Sequence, residues 1–111
     1  MVFCALSLLT LGSEAAQRTI EVTASRFRFD PPNIQVVQGD AVALVLRSTD
    51  GTHGIEIKGY GLKLKIPKGG RSVRLEFVAH RAGSFDFVCS EYCGSGHRGM
   101  RGRLVVVAEA Q

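Results

Sequence analysis

The sequence predicts an all-β protein, a sandwich of two antiparallel sheets, and three observations support this prediction. From Arg18 onward, apolar and polar residues alternate with a period of two, which is typical of half-buried strands. Turn signals recur about every eight to twelve residues, the spacing expected of short strands joined by tight connections. Thirteen glycines and three prolines among 111 residues leave little room for long helices. We therefore expect about eight short strands and no helix.

The first half of the chain alternates in segments that turn residues separate. Ile20, Val22 and Ala24 alternate with polar residues, and Phe27 and Phe29 alternate with charged ones. Asp30-Pro31-Pro32-Asn33 is then a stop, because proline cannot donate to a strand ladder. Residues 34–37 resume the strand pattern. The Gly39-Asp40 turn then leads into residues 41–47, which are rich in valine and leucine, and Thr49-Asp50-Gly51 is the next predicted turn.

The second half continues in the same way. Residues 55–57 and 62–66 alternate, and a turn over residues 67–70 separates them from the next strand, residues 73–77. Residues 85–89 alternate again. After a glycine-rich segment that does not alternate, residues 102–107 form the last predicted strand.

Length and charge exclude several classes of protein. A chain of 12.0 kDa is a single domain, too small for an α/β barrel. Its longest apolar run, residues 2–11, is far shorter than the roughly 20 residues of a membrane-spanning helix, which excludes a protein with many spans. The net charge of +4 is too mild and too evenly spread to indicate nucleic-acid binding.

The N-terminus has the features of a targeting segment. Residues 2–11 resemble the apolar core of a secretory signal, and Ser13-Glu14-Ala15 supplies small residues for cleavage, although no basic residue precedes Arg18. We predict a signal peptide or N-terminal anchor over residues 1–15 and a folded domain over residues 16–111, with a first strand or a disordered tail as the alternative. Export would place the domain in the periplasm or another extracytoplasmic compartment. Any membrane association would then involve only the N-terminus.

The segment that breaks the alternation concentrates metal-binding side chains. Cys89, Cys93, His97 and Met100 fall within twelve residues, and His53 lies upstream in a turn flanked by glycine. Thiolate, thioether and imidazole together suit copper better than magnesium or calcium. His80 lies outside this cluster, and we interpret it as a surface residue.

Each of these residues also has an ordinary interpretation. A lone methionine usually fills a core, and two exported cysteines more often form a disulfide than a ligand pair. Zinc bound by two cysteines and two histidines is the general competitor, but a thioether is a poor zinc ligand. The joint occurrence favours a metal. A blue-copper site with one copper needs only one cysteine in this loop, so the second cysteine distinguishes this pattern from a blue-copper site.

The pattern resembles the dinuclear copper motif called CuA, known from cytochrome c oxidase subunit II and nitrous oxide reductase and carried on a cupredoxin sandwich. The resemblance rests on the upstream Thr52-His53-Gly54 and on Cys89-Ser90-Glu91-x-Cys93-Gly94-x-x-His97-x-x-Met100. It extends over nearly the whole domain. It includes the strand regions Phe27-Arg28-Phe29-Asp30-Pro31 and Ala82-Gly83-Ser84-Phe85-Asp86-Phe87-Val88-Cys89. The resemblance implies a Greek-key β-sandwich of the cupredoxin type.

The resemblance also implies a role for each ligand. Cys89 and Cys93 would bridge two copper ions as thiolates, and His53 and His97 would each bind one of them. Met100 would be a weak axial ligand, and Glu91 would contribute its backbone carbonyl. Gly94, Gly96 and Gly99 are expected to permit the backbone angles that such a loop demands. The function implied is one-electron transfer with a redox partner protein, a cytochrome or an oxidase-type complex, with no small-molecule substrate and no nucleic acid.

The sequence departs from the family pattern in features that concern the partner. It contains no tryptophan, and Phe27 and Phe29 lie where the oxidase subunit presents aromatic residues including an indole. The stretch after Tyr60 is basic, with Lys63, Lys65, Lys68 and Arg71, so a basic cytochrome would be repelled there. We therefore expect an acidic or neutral redox partner. Two other functions stay open: a copper carrier that uses the same ligands, and a structural module with a Cys89–Cys93 disulfide.

Overall fold

The computed structural model describes residues 15–109, which fold into nine strands and a single 3₁₀ turn. The elements are β1 (Gln17–Ser25), β2 (Arg28–Asp30), β3 (Asn33–Val37), β4 (Ala41–Ser48), β5 (His53–Ile57), β6 (Leu62–Ile66), β7 (Val73–Val78), β8 (Gly83–Val88), the 3₁₀ turn (His97–Gly99) and β9 (Arg101–Val107). The all-β prediction is confirmed. The targeting segment predicted for residues 1–15 lies, apart from Ala15, outside the described residues.

Two sheets form the sandwich, one with the strand order β2-β1-β4-β7 and the other with the order β3-β9-β8-β5-β6. The expectation of purely antiparallel sheets is wrong, because β1 pairs with β4 and β3 pairs with β9 in parallel. The alternation of a strand shows which of its faces is buried but not which strand lies beside it. The diproline at Pro31 and Pro32 moves the chain from one sheet to the other between β2 and β3, and two sequentially distant strands thereby become parallel neighbours.

The first alternating segment is also divided. The structure turns at Arg26 and Phe27, so that β2 folds back on β1 with Ser25 opposite Arg28. The turn contains no glycine or proline; its one mark in the sequence is that the apolar positions shift from even to odd numbers between Ala24 and Phe27. This turn contacts the loop that carries Cys93.

The core lies between the inward faces of the two sheets. Aromatic and aliphatic side chains from both sheets meet there, and Phe29 of β2 packs edge-on against Phe87 of β8 with ring centroids 5.1 Å apart. Each large apolar side chain buried in this way contributes about 1.5–3 kcal/mol relative to an exposed one. Phe29, which the sequence placed near a partner surface, is therefore a core residue.

A buried carboxylate connects two segments of the chain at the end of the sandwich opposite the metal-binding loop. Asp40 is fully buried and accepts hydrogen bonds from the Ala16 and Val37 N–H groups and from Arg18 Nε at 2.9 Å. Burial alone would raise the pKa of Asp40, but these three donors more than offset it and hold that pKa below its usual value. The carboxylate therefore ties the start of β1 to the β3–β4 turn.

The strands place several loops together at the opposite end of the sandwich. Residues 26–27, 49–52, 67–72 and 89–100 connect strands at this end, which we call the ligand end. Within residues 15–109, no helix is long and apolar enough to cross a membrane.

Candidate metal centre

Two cysteine thiols form the centre of the cluster at the ligand end. Cys89 follows directly on β8, and Cys93 lies in the loop that returns to β9, with the two Sγ atoms 3.5 Å apart. This separation is far longer than the roughly 2 Å of a disulfide, and both cysteines are free. Both side chains are buried, so the sulfurs face one another inside the protein rather than solvent.

Two histidines approach the sulfurs from different directions. His53, the first residue of β5, is fully buried with Nδ1 3.9 Å from Cys89 Sγ. His97 begins the 3₁₀ turn and is half-buried, with Nδ1 3.6 Å from Cys93 Sγ. Each ring therefore points the same nitrogen atom towards the pair of sulfurs.

A thioether and a backbone carbonyl complete the cluster. Met100 is fully buried and its Sδ lies 3.8 Å from Cys93 Sγ. The Cys89 thiol donates to the carbonyl of Glu91 at 3.1 Å. The structure thus brings all six residues that the motif singled out to one end of the sandwich, whereas His80 is exposed and stacks edge-on against Tyr60.

Asp50 fixes the orientation of His53, a role that the sequence analysis did not assign. Its Oδ1 lies 2.6 Å from His53 Nε2. An ionised carboxylate can only accept, so Nε2 carries the proton and the lone pair of a neutral ring lies on Nδ1, which faces Cys89. The signal available in the sequence was an aspartate in a turn three residues before a candidate ligand.

The charge of Asp50 is stabilised by several donors. Burial alone would raise the pKa of Asp50, but hydrogen bonds from the Arg26 N–H, the His53 ring and the Gly51 N–H lower it to about 2. The carboxylate therefore stays ionised over the physiological range and holds the His53 ring in one tautomer.

The β1–β2 turn clamps the ligand loop from the other sheet. Arg26 Nε donates to the carbonyl of Cys93 at 2.9 Å, and the Phe27 ring packs over Gly94 and Gly96. Gly94 has φ +136°, which disfavours other residues, and a Cβ at Gly96 would overlap the Phe27 ring. The expectation of special backbone angles is therefore confirmed for Gly94 and wrong for the other two glycines: Gly96 has φ −92°, and Gly99 has neither a positive φ nor a neighbour near its missing Cβ.

The donor set fits copper. Two facing thiols, two imidazoles and a thioether are soft or intermediate ligands of the kind that copper prefers, and a buried methionine sulfur beside a thiol has no use in a tetrahedral zinc site. Burial raises the pKa of the Cys93 thiol to about 11, and the neighbouring Cys89 adds to the rise. In the metal-free protein this thiol is therefore protonated near neutral pH, and metal binding must release its proton.

Comparisons with known proteins agree with this geometry. Residues 1–106 match the model of the family described as cupredoxin-like domain. The chain is 32% identical over 90 residues to cytochrome c oxidase subunit 2 of Thermus thermophilus, covering 81% of this chain and 66% of that protein. It is 30% identical over 94 residues to the nitrous-oxide reductase of Cupriavidus necator, covering 81% of this chain and 14% of that enzyme.

Among solved structures, the periplasmic domain of subunit II of the cytochrome oxidase of Bradyrhizobium japonicum is similar, with a TM-score of 0.72 and 21% identity. The alignment covers 81% of this chain and 83% of that domain. The chain spans less than two thirds of the length of the two curated relatives, 66% of one and 14% of the other. The family match over nearly the whole chain, together with the sandwich and its sulfur–imidazole cluster, shows that this chain belongs to the family of cupredoxin-like copper domains.

Proposed function

We propose that the protein carries single electrons through a dinuclear copper centre of the CuA type, held by His53, Cys89, Glu91, Cys93, His97 and Met100. The observation that supports this proposal most strongly is the facing pair of free thiols, with Sγ atoms 3.5 Å apart and an imidazole nitrogen within 4 Å of each sulfur. When bound, the copper pair supplies a reversible one-electron couple. By itself the domain transforms no substrate.

The surrounding residues favour fast electron exchange. Asp50 fixes His53, Arg26 and Phe27 hold the ligand loop, and the strands on either side of Cys89 are anchored in the sheet. A site whose ligands are held in place in this way changes little in geometry when an electron arrives or leaves. The energy needed to reorganise the site is therefore low.

The alternative function of a copper carrier fits the burial less well. A carrier must expose at least one ligand so that an acceptor can take the metal from it. His53, Cys89, Cys93 and Met100 are all at least nine-tenths buried, and only His97 and Glu91 are half-buried. This arrangement retains a metal and leaves His97 as the route by which electrons enter or leave.

We also propose that the domain is exported and that its signal peptide is cleaved after Ala15, which would place the domain outside the cytoplasm. The Ala16 N–H donates to the buried Asp40 Oδ1 at 2.7 Å. Cleavage after Ala15 would turn this amide into an ammonium group placed against a buried carboxylate, a stronger, charge-assisted hydrogen bond. The redox partner would then be a cytochrome or an oxidase-type complex outside the cytoplasm.

Copper stoichiometry together with optical and paramagnetic-resonance spectra tests the proposed function. We expect two copper ions per chain, a purple colour and one unpaired electron shared over both nuclei, bleached and restored by reduction and reoxidation without loss of metal. One copper ion that leaves upon reduction would support the carrier. A metal-free protein with a mass lower by two hydrogens would support the disulfide module.

Replacing Met100 by leucine should keep the copper but raise the reduction potential. Leucine has a similar volume, so packing is kept, but it removes a sulfur donor that stabilises the oxidised state more than the reduced one. Voltammetry measures the shift, and Leu44→Met, a reciprocal swap in the core, is the control. A potential that stays unchanged or falls would contradict an axial role for Met100.

A further inference from the structure

The net charge of the described chain is located at the ligand end. Eight exposed basic side chains lie there against three acidic ones, a net charge of +5; the basic residues are Arg26, Arg28, Arg47, Lys65, Lys68, Arg71, Arg98 and Arg101, and the acidic ones are Asp30, Asp50 and Glu91. The remainder of residues 15–109 has six basic and six acidic residues and is neutral. If the ligand end is extended further along β5 and β6, the paired residues Lys63 and Glu56 join it, and its net charge stays at +5.

Ion pairs are more frequent in the neutral part than at the ligand end. In the neutral part, four basic residues pair with acidic neighbours within 4 Å: Arg18 with Asp40, Lys58 with Glu56, Arg74 with Glu76, and Arg103 with Asp86. At the ligand end, the described residues include one such pair between opposite charges, Arg28 with Asp30 at 3.9 Å. Asp50 is engaged by His53 and backbone N–H groups. Most of the positive charge there therefore faces solvent without a counter-charge.

Exposed aromatic side chains lie at the same end of the sandwich. Tyr92, in the ligand loop, is 77% exposed, and its ring centroid lies 5.6 Å from that of His97. Phe27, also partly exposed, packs over the same loop. Aromatic residues and arginine are both enriched at protein–protein interfaces relative to the rest of the surface.

We infer that the ligand end is the docking surface for an electron-transfer protein whose own docking face is acidic. This inference rests on the proposed function and names the chemistry of its partner. A net positive charge at the end of the sandwich that carries His97 attracts an acidic partner and orients it with its redox group towards that end. The step is the transfer of one electron, in which the donor protein is oxidised by one electron as the copper pair is reduced, and no atom or proton moves.

An anionic membrane would be attracted by the same charges, but a redox protein fits the ligand end better. Lipid headgroups neither donate nor accept an electron. The half-buried His97, a candidate copper ligand, and the exposed ring of Tyr92 beside it lie at the same end as the charge. The charge and the exposed edge of the metal site thus share one end of the sandwich, which favours a redox protein as the occupant.

Two forms of one cytochrome provide the test. A basic c-type cytochrome and the same cytochrome with succinylated lysines carry the same haem with opposite surface charge. At low ionic strength we expect the succinylated form to bind the copper-loaded protein at least about tenfold more tightly, and to exchange electrons at least about tenfold faster, than the basic form. The difference should disappear near 1 M salt, where the Debye length is about 3 Å.

Matched variants locate the surface. Lys68→Glu/Arg71→Glu removes charge at the ligand end, and Lys58→Glu/Arg74→Glu makes the same change in net charge within the neutral part. We expect the first pair to reduce the preference for the succinylated cytochrome several-fold and the second to leave it nearly unchanged. Equal effects of the two pairs, or a preference for the basic cytochrome, would overturn the inference.

Binding and electron transfer are measured separately, so the two proposals can fail separately. Tight binding of the succinylated form without electron exchange would contradict the proposed function but not the docking surface. Electron exchange that is insensitive to the charge of the cytochrome would contradict the docking surface alone. Binding to phosphatidylglycerol vesicles that Lys68→Glu/Arg71→Glu abolishes, with no preference between the cytochromes, would assign the surface to a membrane instead.

Discussion

Serine in place of Cys93 is expected to abolish the dinuclear copper centre. Cys93 Sγ lies 3.5 Å from Cys89 Sγ, 3.6 Å from His97 Nδ1 and 3.8 Å from Met100 Sδ, so three other candidate ligands surround it. A hydroxyl is a harder donor and does not bridge two copper ions as a thiolate does. We expect copper content to fall from two ions to one or none, with loss of the purple colour.

Paramagnetic resonance measures this change, because the hyperfine pattern of an electron shared over two nuclei should give way to that of a single copper or disappear. Ser95→Ala, an exposed position in the same loop, is the matched control and should keep both ions. The metal-free Cys93→Ser protein should still fold, with a loss of about 1–3 kcal/mol for burying a hydroxyl in place of a thiol. Two copper ions and an unchanged spectrum in Cys93→Ser would disprove the bridging role.

Alanine in place of Gly54 is expected to displace the ligand loop. A Cβ at Gly54 would overlap Ser90 Oγ, and it would lie 2.9 Å from Glu91 Cγ and 3.3 Å from the Leu64 carbonyl. Strand β5 cannot yield, because β6 and β8 pair with it on both sides. The Ser90 and Glu91 side chains must therefore move, and we expect the backbone that carries them, including the Glu91 carbonyl beside Cys89 Sγ, to shift with them. We expect a loss of about 1–3 kcal/mol in unfolding free energy and weaker copper binding with an altered spectrum.

Denaturant unfolding of the metal-free protein and copper titration measure the two effects of Gly54→Ala. Gly99→Ala places the same methyl group in open space within the ligand loop and should change stability by no more than about 0.5 kcal/mol. Ser90→Ala removes the nearest clashing atom, a buried hydroxyl without a hydrogen-bond partner among the described residues, and should partly rescue Gly54→Ala. A Gly54→Ala protein with parental stability and copper affinity would contradict this account.

Much of the fold could be predicted because alternation is a local property. Each run of alternating residues has one apolar face, and that face had to be buried whichever strand lay beside it. The strands from residue 34 onward therefore lie close to their predicted positions, and the diproline stop after Asp30 is confirmed. The turn at Arg26 was missed because its signal, the change of phase between Ala24 and Phe27, carries no glycine or proline. The two parallel pairings could not be predicted, because strand partners are chosen by contacts between distant segments.

The residues of the candidate site also fall into those that the sequence could predict and those that it could not. The six metal-binding residues could be selected from the sequence, because thiol, imidazole and thioether groups at that spacing have few other joint uses. Asp50 and Arg26 could not, since an aspartate in a turn and an exposed arginine are common in any protein. Their roles exist only because the fold places Asp50 against the Nε2 of His53 and Arg26 against the Cys93 carbonyl.

The sequence by itself therefore determined the class of fold, the copper-type ligand set and the excess of basic residues. These properties follow from side-chain chemistry and from periods that can be counted along the chain. Only the tertiary structure decided that the ligands from β5 and from the β8–β9 loop meet in a buried cluster, and that the whole excess charge lies at the same end of the sandwich. The physical reason is that strand pairing brings together residues that are remote in the chain, and distances and local charge density are defined only after that pairing has occurred.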